Sequence, residues 1–279
     1  MARMLTHPTA FFNPPIFQGA GKTRQYFEGW YFKLIDADGK HAFAVIPGVS
    51  MDPAGHKKAF IQLLDGKAAT AVFHTFPFTD FKASSQKFEV HIGDNYFSDK
   101  EIFVQLPDWK ADLSFTGQVP WPTPVWSPGI MGPFSFIPFM ECYHGIVSMD
   151  HRISGRIIYE NKEIDMDGGR GYMEKDWGRS FPAAYIWMQS NHFSTPGFSL
   201  KASVAKIPWI GSSFTGFIAG FWLQKQLIRF TTYNRSKVLR AAVGHQSVEL
   251  ELQHPSYLLQ IKAQRERSTE LASPILGDM

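Results

Sequence analysis

No stretch of this chain carries the 3.6-residue apolar repeat of a helix over 12 or more residues, and that narrows the fold more than any other feature. What recurs instead is alternation. Phe88, Val90 and Ile92 alternate with Glu89 and His91, Val248, Leu250 and Leu252 alternate with Glu249 and Glu251, and Tyr257, Leu259 and Ile261 share a face. Such a period of two buries one side of a strand and leaves the other to water. Asp38-Gly39 and Asp65-Gly66 stand between apolar runs and predict tight hairpin turns. The uncharged run 207–224 is broken by Gly211, Ser212, Ser213, Thr215 and Gly216, which predicts two strands and a turn. Many short strands with frequent turn residues predict an all-β fold of antiparallel barrel or sandwich units.

The 279 residues suffice for one large β domain or two ordinary ones. Hydrophobic residues make up 44% and aromatics 15%, with 25 Phe and 8 Trp, against 19% charged residues. This balance suits extensive internal apolar surface, as core or as ligand cavity. The formal charge of +3 is spread without a basic stripe, so no nucleic acid partner is expected. The single cysteine, Cys142, forbids an intrachain disulfide and fits a reducing compartment. The opening MARMLTHPTAFFNPP lacks an apolar segment with a cleavage site, so no signal peptide is expected. The longest uncharged stretch, 113–140, holds six prolines and does not predict a membrane-spanning helix. A cytoplasmic protein is expected, with peripheral membrane contact left open. Within that stretch Trp121, Trp126, Phe134, Phe136 and Phe139 are too many aromatics for a solvated linker. They predict either a lid over a ligand entrance or a plug packed permanently between two units.

A faint repeat organises the chain. YFEGW (26–30) resembles YMEKDW (172–177), and each is followed by two apolar runs, HAFAVIP and AFIQLL in one case, LKASVAKIP and FTGFIAGFWL in the other. Two β units, 1–140 and 141–279, are expected. Several tempting signals fail on spacing or context. GAGKT at 19–23 has Ile16 where a phosphate loop needs glycine, and no strand introduces it. Cys142 and His144 share a strand face, but a buried inert thiol explains Cys142 better than a nucleophile. No histidine spacing recommends a metal site, so no metal is expected.

The densest segment is GYMEKDWGRSFPAAYIWMQSNHF (171–193). On strands, Tyr172, Glu174 and Asp176 share a face with Lys175 and Trp177 opposite, while Trp187, Gln189, Asn191 and Phe193 share another. Tyr26, Glu28 and Trp30 likewise share a face. Large aromatics among amides and acids suit the lining of a ligand cavity, since each buried amide needs a partner. The competing reading is a structural network in which Glu28 or Glu174 pairs with Arg170, Arg179 or a backbone amide.

GYMEKDWG, then FP, a Trp, a Gln and Asn-x-Phe resembles the signature of the tocopherol cyclase family, and YFEGWYFK (26–33) is similar to that family's N-terminal signature. The resemblance implies two lipocalin-like β units, the second left short of a terminal strand or two by the ending ASPILGDM. It also implies closure of a chromanol ring on a prenylated hydroquinone without a cofactor. An acid protonates the alkene, the phenol oxygen captures the tertiary cation, aromatic faces stabilise that cation and water is excluded. On this resemblance Glu174, Glu28 and Asp176 are the candidate acids, with Glu174 favoured. Trp30, Trp177 and Trp187 are the cation-stabilising faces, Gln189 and Asn191 orient hydroxyls, and Tyr26, Tyr172 and Phe193 complete the lining. Glu174 and Trp177 reach one cavity only across a bulge, for which Gly178 is available. The partner is an apolar small molecule: a prenylated quinol, terpenoid or lipid. A cyclase or isomerase leads, with a non-catalytic isoprenoid carrier and a hydratase as the alternatives.

Overall fold

A computed structural model describes residues 12–209, 211–223 and 225–273 of the chain. Residues 1–11 and 274–279, on which the expectations about a leader and a shortened terminal strand partly rest, lie outside them. Strands dominate and no α-helix occurs among the described residues. Nor is any helix there long and apolar enough to cross a membrane.

The chain forms two compact units: one runs to Ser180 and takes in the chain again from Glu270, and the other is Phe181–Thr269. The first unit contains β1 (Tyr26–Ile35), β2 (Ala42–Met51), β3 (Lys57–Asp65), β4 (Thr70–Pro77), β5 (Phe81–Ala83) and β6 (Glu89–Ile92). It continues with β7 (Asn95–Ser98), β8 (Glu101–Gln105), β9 (Trp109–Thr116), β10 (Cys142–Tyr159), β11 (Lys162–Asp165) and β12 (Gly169–Gly178). These make one sheet in the order β4-β3-β2-β1-β12-β10-β9-β8-β7-β6-β5, with β11 on β10.

Ring contacts show how far this sheet coils. Trp30 of β1 stacks on Phe88 at 5.8 Å, and Phe32 meets Phe97 of β7 at 5.9 Å and Phe115 of β9 at 6.1 Å. These strands are far apart in the hydrogen-bonded order, so the sheet rolls until its inner face meets itself. The roll is filled: Leu34, Val45, Val49, Ile61, Val90, Ile102, Leu113, Ile153 and Met173 pack with those rings into one core. The hairpin turns fall where the sequence predicts them. Gly39 takes a left-handed conformation (φ 67°) between β1 and β2, and the Asp65 carboxylate accepts the N–H groups of Lys67 and Ala68 between β3 and β4.

The second unit has a four-stranded meander, β13 (Tyr185–Ser190), β14 (Ser199–Trp209), β15 (Ser212–Leu223) and β16 (Gln226–Thr231). A three-stranded sheet follows, β17 (Lys237–Val243), β18 (Ser247–His254) and β19 (Tyr257–Gln264). Ala202, Val204, Phe217, Ala219, Phe230, Leu250 and Leu252 form its core.

The all-β antiparallel class stands, but the boundary expected near residues 140–150 does not. β10 pairs with β9 and β12 pairs with β1, so the hydrogen-bond ladder carries residues 142–178 into the first unit. The two motifs read as a repeat are neighbours in one sheet, with Glu28 opposite Trp177 and Trp30 opposite Lys175. In the Pro-rich segment Trp121 and Ile130 are buried while Val125 and Trp126 are 73% and 77% exposed. Its start is tied to β10 by the backbone bonds between Val119 and both Met149 and Asp150, and its tip at 125–126 is bare.

One core residue is costly. His151 is 1% exposed, edges onto Phe115 at 4.9 Å, and neither ring nitrogen has a hydrogen-bond partner among the described residues. Burial, aided by the positive charge of Arg170, pushes its pKa down to about 3. An unfolded chain takes up this proton near pH 6.5, so between the two values the unfolded state holds more protons and stability falls with pH. From pH 7 to pH 5 this group alone should remove about 2 kcal/mol. His151→Leu should show a correspondingly shallower acid loss in urea denaturation at the two pH values. Equal losses in the two proteins would show that His151 is not the group responsible.

Candidate functional site

β12 decides which side chains meet. Its register with β1 is continuous from Arg170 opposite Ile35 to Gly178 opposite Phe27, so successive side chains take alternate faces. Lys175 and Trp177 turn inward beside Trp30 and Glu28. Tyr172, Glu174 and Asp176 turn outward beside Lys33, Tyr31 and Gly29. The bulge expected near Gly178 is absent from β12; the irregularities fall in β10, between Ile146 and Ser148 and between Ser148 and His151. The sheet therefore separates Glu174 from Trp30 and Trp177, and the expectation that they line one cavity fails.

Inside, Lys175 and Glu28 form an ion pair with both side chains fully buried, Nζ to Oε1 at 2.5 Å. Lys175 also donates to the carbonyls of Pro14 (2.8 Å) and Ile16, and its ammonium lies 5.1 Å from the Trp30 ring and 4.7 Å from the Trp177 ring. Glu28 further accepts the Tyr26 hydroxyl (2.5 Å) and the Gln18 N–H (2.8 Å), and Trp30 Nε1 donates to the Pro15 carbonyl (2.8 Å). Burial pushes Lys175 down to about 8 against the opposing pull of Glu28. Burial and then the Glu28 charge hold Tyr26 well above its ordinary value. A carboxylate so furnished with donors is an anchor that straps residues 13–18 across the sheet. Glu28 thus does not face an apolar cavity, and Tyr26, Trp30 and Trp177 enclose the ion pair. The cationic partner is Lys175 instead of the Arg170 or Arg179 considered from sequence; Arg170 pairs with Asp150.

Outside, His144 of β10 stands opposite Asp176 and binds it through Nδ1. Its Nε2 lies 3.2 Å from Glu174 Oε1, close enough for an ion pair but out of hydrogen-bond alignment. The Tyr172 hydroxyl donates to Glu174 Oε2. The Glu174 side chain is 2% exposed and that of Asp176 25%, so the imidazole bridges a sheltered carboxyl and a wetter one. Burial and the negative charge of Glu174 raise the pKa of both Tyr172 and Tyr31, which keeps these phenols protonated as donors. Burial pushes Lys33, opposite Tyr172, down to about 8. His144, Glu174 and Asp176 are also the one group among the described residues whose ligand atoms converge, within 4.8 Å, as a divalent cation would require. Chemically, the arrangement can store a proton, deliver it from Glu174 and recover it through Asp176 and His144.

Trp187, Gln189, Asn191 and Phe193 belong to the second unit. Trp187 and Gln189 stand on β13 opposite Ser203 and Lys201, Asn191 is buried just beyond the strand, and Phe193 packs on Phe198 and Phe221. Sequence reasoning missed His144 and Tyr31 as site residues. His144 was weighed with Cys142 as a nucleophile pair and with His151 as a metal site, and set aside in both, because its true neighbour lies 32 residues away on another strand.

A family model described as tocopherol cyclase-like matches residues 109–275. The chloroplastic tocopherol cyclase of Zea mays is 22% identical over 241 residues, covering 66% of this chain and 49% of the relative. The chain thus spans about half the length of that curated relative. Among solved structures, CghA with Sch210972 matches at TM-score 0.57 with 11% identity over 89% of this chain and 79% of that one. Kievitone hydratase from Nectria haematococca matches at TM-score 0.50 with 10% identity over 95% of this chain and 84% of that one. At such identities these likenesses establish the fold.

The inner cluster makes its own prediction. Glu28→Gln or Lys175→Met should each cost about 3–5 kcal/mol in denaturant titrations, because each leaves a buried charge uncompensated. The double variant should lose clearly less than the sum. A Glu28→Gln protein of normal stability would return Glu28 to the candidate acids.

Proposed function

The chain belongs to the tocopherol cyclase-like family, and from that premise we propose that it is a cyclase-type enzyme acting on an apolar, prenylated quinol or related terpenoid without a cofactor. The observation that carries this reading is the imidazole of His144 held between Asp176 and Glu174, with Tyr172 bonded to the second oxygen of Glu174. Alkene protonation needs an acid sheltered from water, and Glu174 is the sheltered member. In the proposed step the Glu174 carboxylic acid gives its proton to the alkene carbon, leaving a tertiary carbocation. The phenol oxygen of the same substrate forms the new C–O bond and releases its proton to Asp176. Asp176 passes that proton to His144 through Nδ1, and His144 returns one to Glu174 from Nε2, so all three groups and the substrate atoms balance without an added reagent. Tyr31 and Tyr172 remain protonated throughout and steady the carboxylate by donation and by position. A cytoplasmic protein meeting its substrate at a membrane surface is consistent with so apolar a ligand.

Glu174→Gln and His144→Gln should retain the wild-type denaturation profile and bind a farnesylated hydroquinone, yet lose turnover by at least about 100-fold, measured as cyclised product by mass spectrometry. Chelator should leave wild-type turnover unchanged. Loss of turnover on chelation, restored by a divalent ion, would recast the same three side chains as metal ligands. A wild-type protein that binds the probe and never converts it would be a carrier.

A further inference from the structure

The relay does not use every polar group of the outer face. Gln62 of β3 is 3% exposed, and its Nε2 is buried without a hydrogen-bond partner among the described residues. Ala59 and Ile61 on the same strand turn into the core, so alternation sends Gln62 outward. Gln62 stands opposite Ile46 on one side and Phe73 on the other. The β1–β2 register, with Gly29 opposite Gly48 and Phe32 opposite Val45, sets Ile46 against Tyr31, and Tyr31 stands against Glu174. One row across four strands therefore reads Gln62, Ile46, Tyr31, Glu174, with the end residues roughly 14 Å apart at their backbones from three strand spacings.

The groups around Gln62 on that face are mostly apolar, with the Lys58 ammonium 5.1 Å from the Phe73 ring at their margin. Phe60 and Phe73 stack at 5.0 Å beside it. The Phe60 ring lies over Gly48, where an added Cβ would come within 2.5 Å of it, and reaches toward Gly29, beside Asp176. The paired glycines thus let an aromatic floor extend from the Gln62 row toward the relay. For stability alone a leucine or methionine would serve better at position 62, since a buried amide without a partner is a penalty that neither hydrocarbon carries. A group that costs stability and lies on the face of the proposed chemistry is accounted for by a ligand that completes it.

We infer that Gln62 is a substrate-anchoring residue whose amide N–H donates to an oxygen of the ligand, so that the substrate class is an amphiphile with an acceptor oxygen on an apolar body that lies along the Phe60–Phe73 side of the outer face. This rests on the cyclase reading for the face, and it adds the residue that selects an oxygenated ligand over a plain hydrocarbon.

Two probes test it on the full chain: farnesyl hydroquinone and farnesylbenzene, which shares the chain and lacks the oxygens. Wild-type protein should bind the hydroquinone at least about 10-fold more tightly in calorimetric titration, the scale of one good hydrogen bond. Gln62→Leu and Gln62→Met should bind the two probes within about 2-fold of each other, keep the affinity for farnesylbenzene, and unfold at the same or higher urea concentration. The inference is overturned if both variants retain the preference, or if both unfold at clearly lower urea, which would make Gln62 structural. A wild-type protein indifferent to the oxygens overturns this inference alone. If it binds neither probe, the proposed function falls with it.

Discussion

A lysine with no access to water governs the first unit. Lys175 must be neutralised and hydrogen-bonded where it lies, and the structure does both with Glu28 and the carbonyls of Pro14 and Ile16, between two indole faces. None of these partners is local in sequence, so satisfying one ammonium requires β12 beside β1, in one register, with residues 13–18 drawn across them. A slip of one residue would send Lys175 outward and leave Glu28 buried alone, a penalty of several kcal/mol. The same register disposes of the other face without further choice. Once Lys175 and Trp177 point in, Tyr172, Glu174 and Asp176 point out.

The two glutamates of this strand pair therefore differ by their company more than by their depth. Both are essentially buried. Glu28 has an ammonium, a phenol and a backbone amide as donors, and its role is to hold charge still. Glu174 has an imidazole, a group that can pass a proton on, beside a phenol that stays protonated, and a second carboxylate lies beyond the imidazole. Burial alone would have nominated either residue as an acid. The nature of the partner separates an anchor from the proposed relay.

Much of this was legible in the sequence, and what was not has a physical reason. Period-two patterns at 88–92 and 248–252, and the aspartate–glycine turns at 38–39 and 65–66, report local geometry, and the strands and hairpins formed there. Tyr172, Glu174 and Asp176 on one face followed from alternation and held. The boundary near residue 140 failed because strand pairing between β1 and β12 depends on which buried charge finds which partner across the chain, which no local pattern encodes. His144 was missed for the same reason: its meaning comes from Asp176 across a ladder. The expected bulge at Gly178 was invoked to unite Glu174 with Trp177, and the sheet had no need of it because those residues serve different faces.

The aromatic richness of the chain points the same way. Trp30, Phe32, Phe43, Phe88, Phe97, Trp109 and Phe115 all lie within the core of the first unit, stacked or edge-on to one another. These rings are committed to the packed core on the inner side of the roll. Much of the aromatic surface that composition assigned to core or cavity thus goes into packing, and His144, Glu174 and Asp176 stand on the sheet's other side. There the glycine pair Gly29–Gly48, in register between two aromatic-bearing strands, removes side chains where the Phe60 ring crosses. A face built in this way offers an apolar ligand broad contact and very few hydrogen bonds. Were such a ligand bound as proposed, its selection would rest on the handful of polar atoms the face retains more than on the aromatic residues that dominate the sequence.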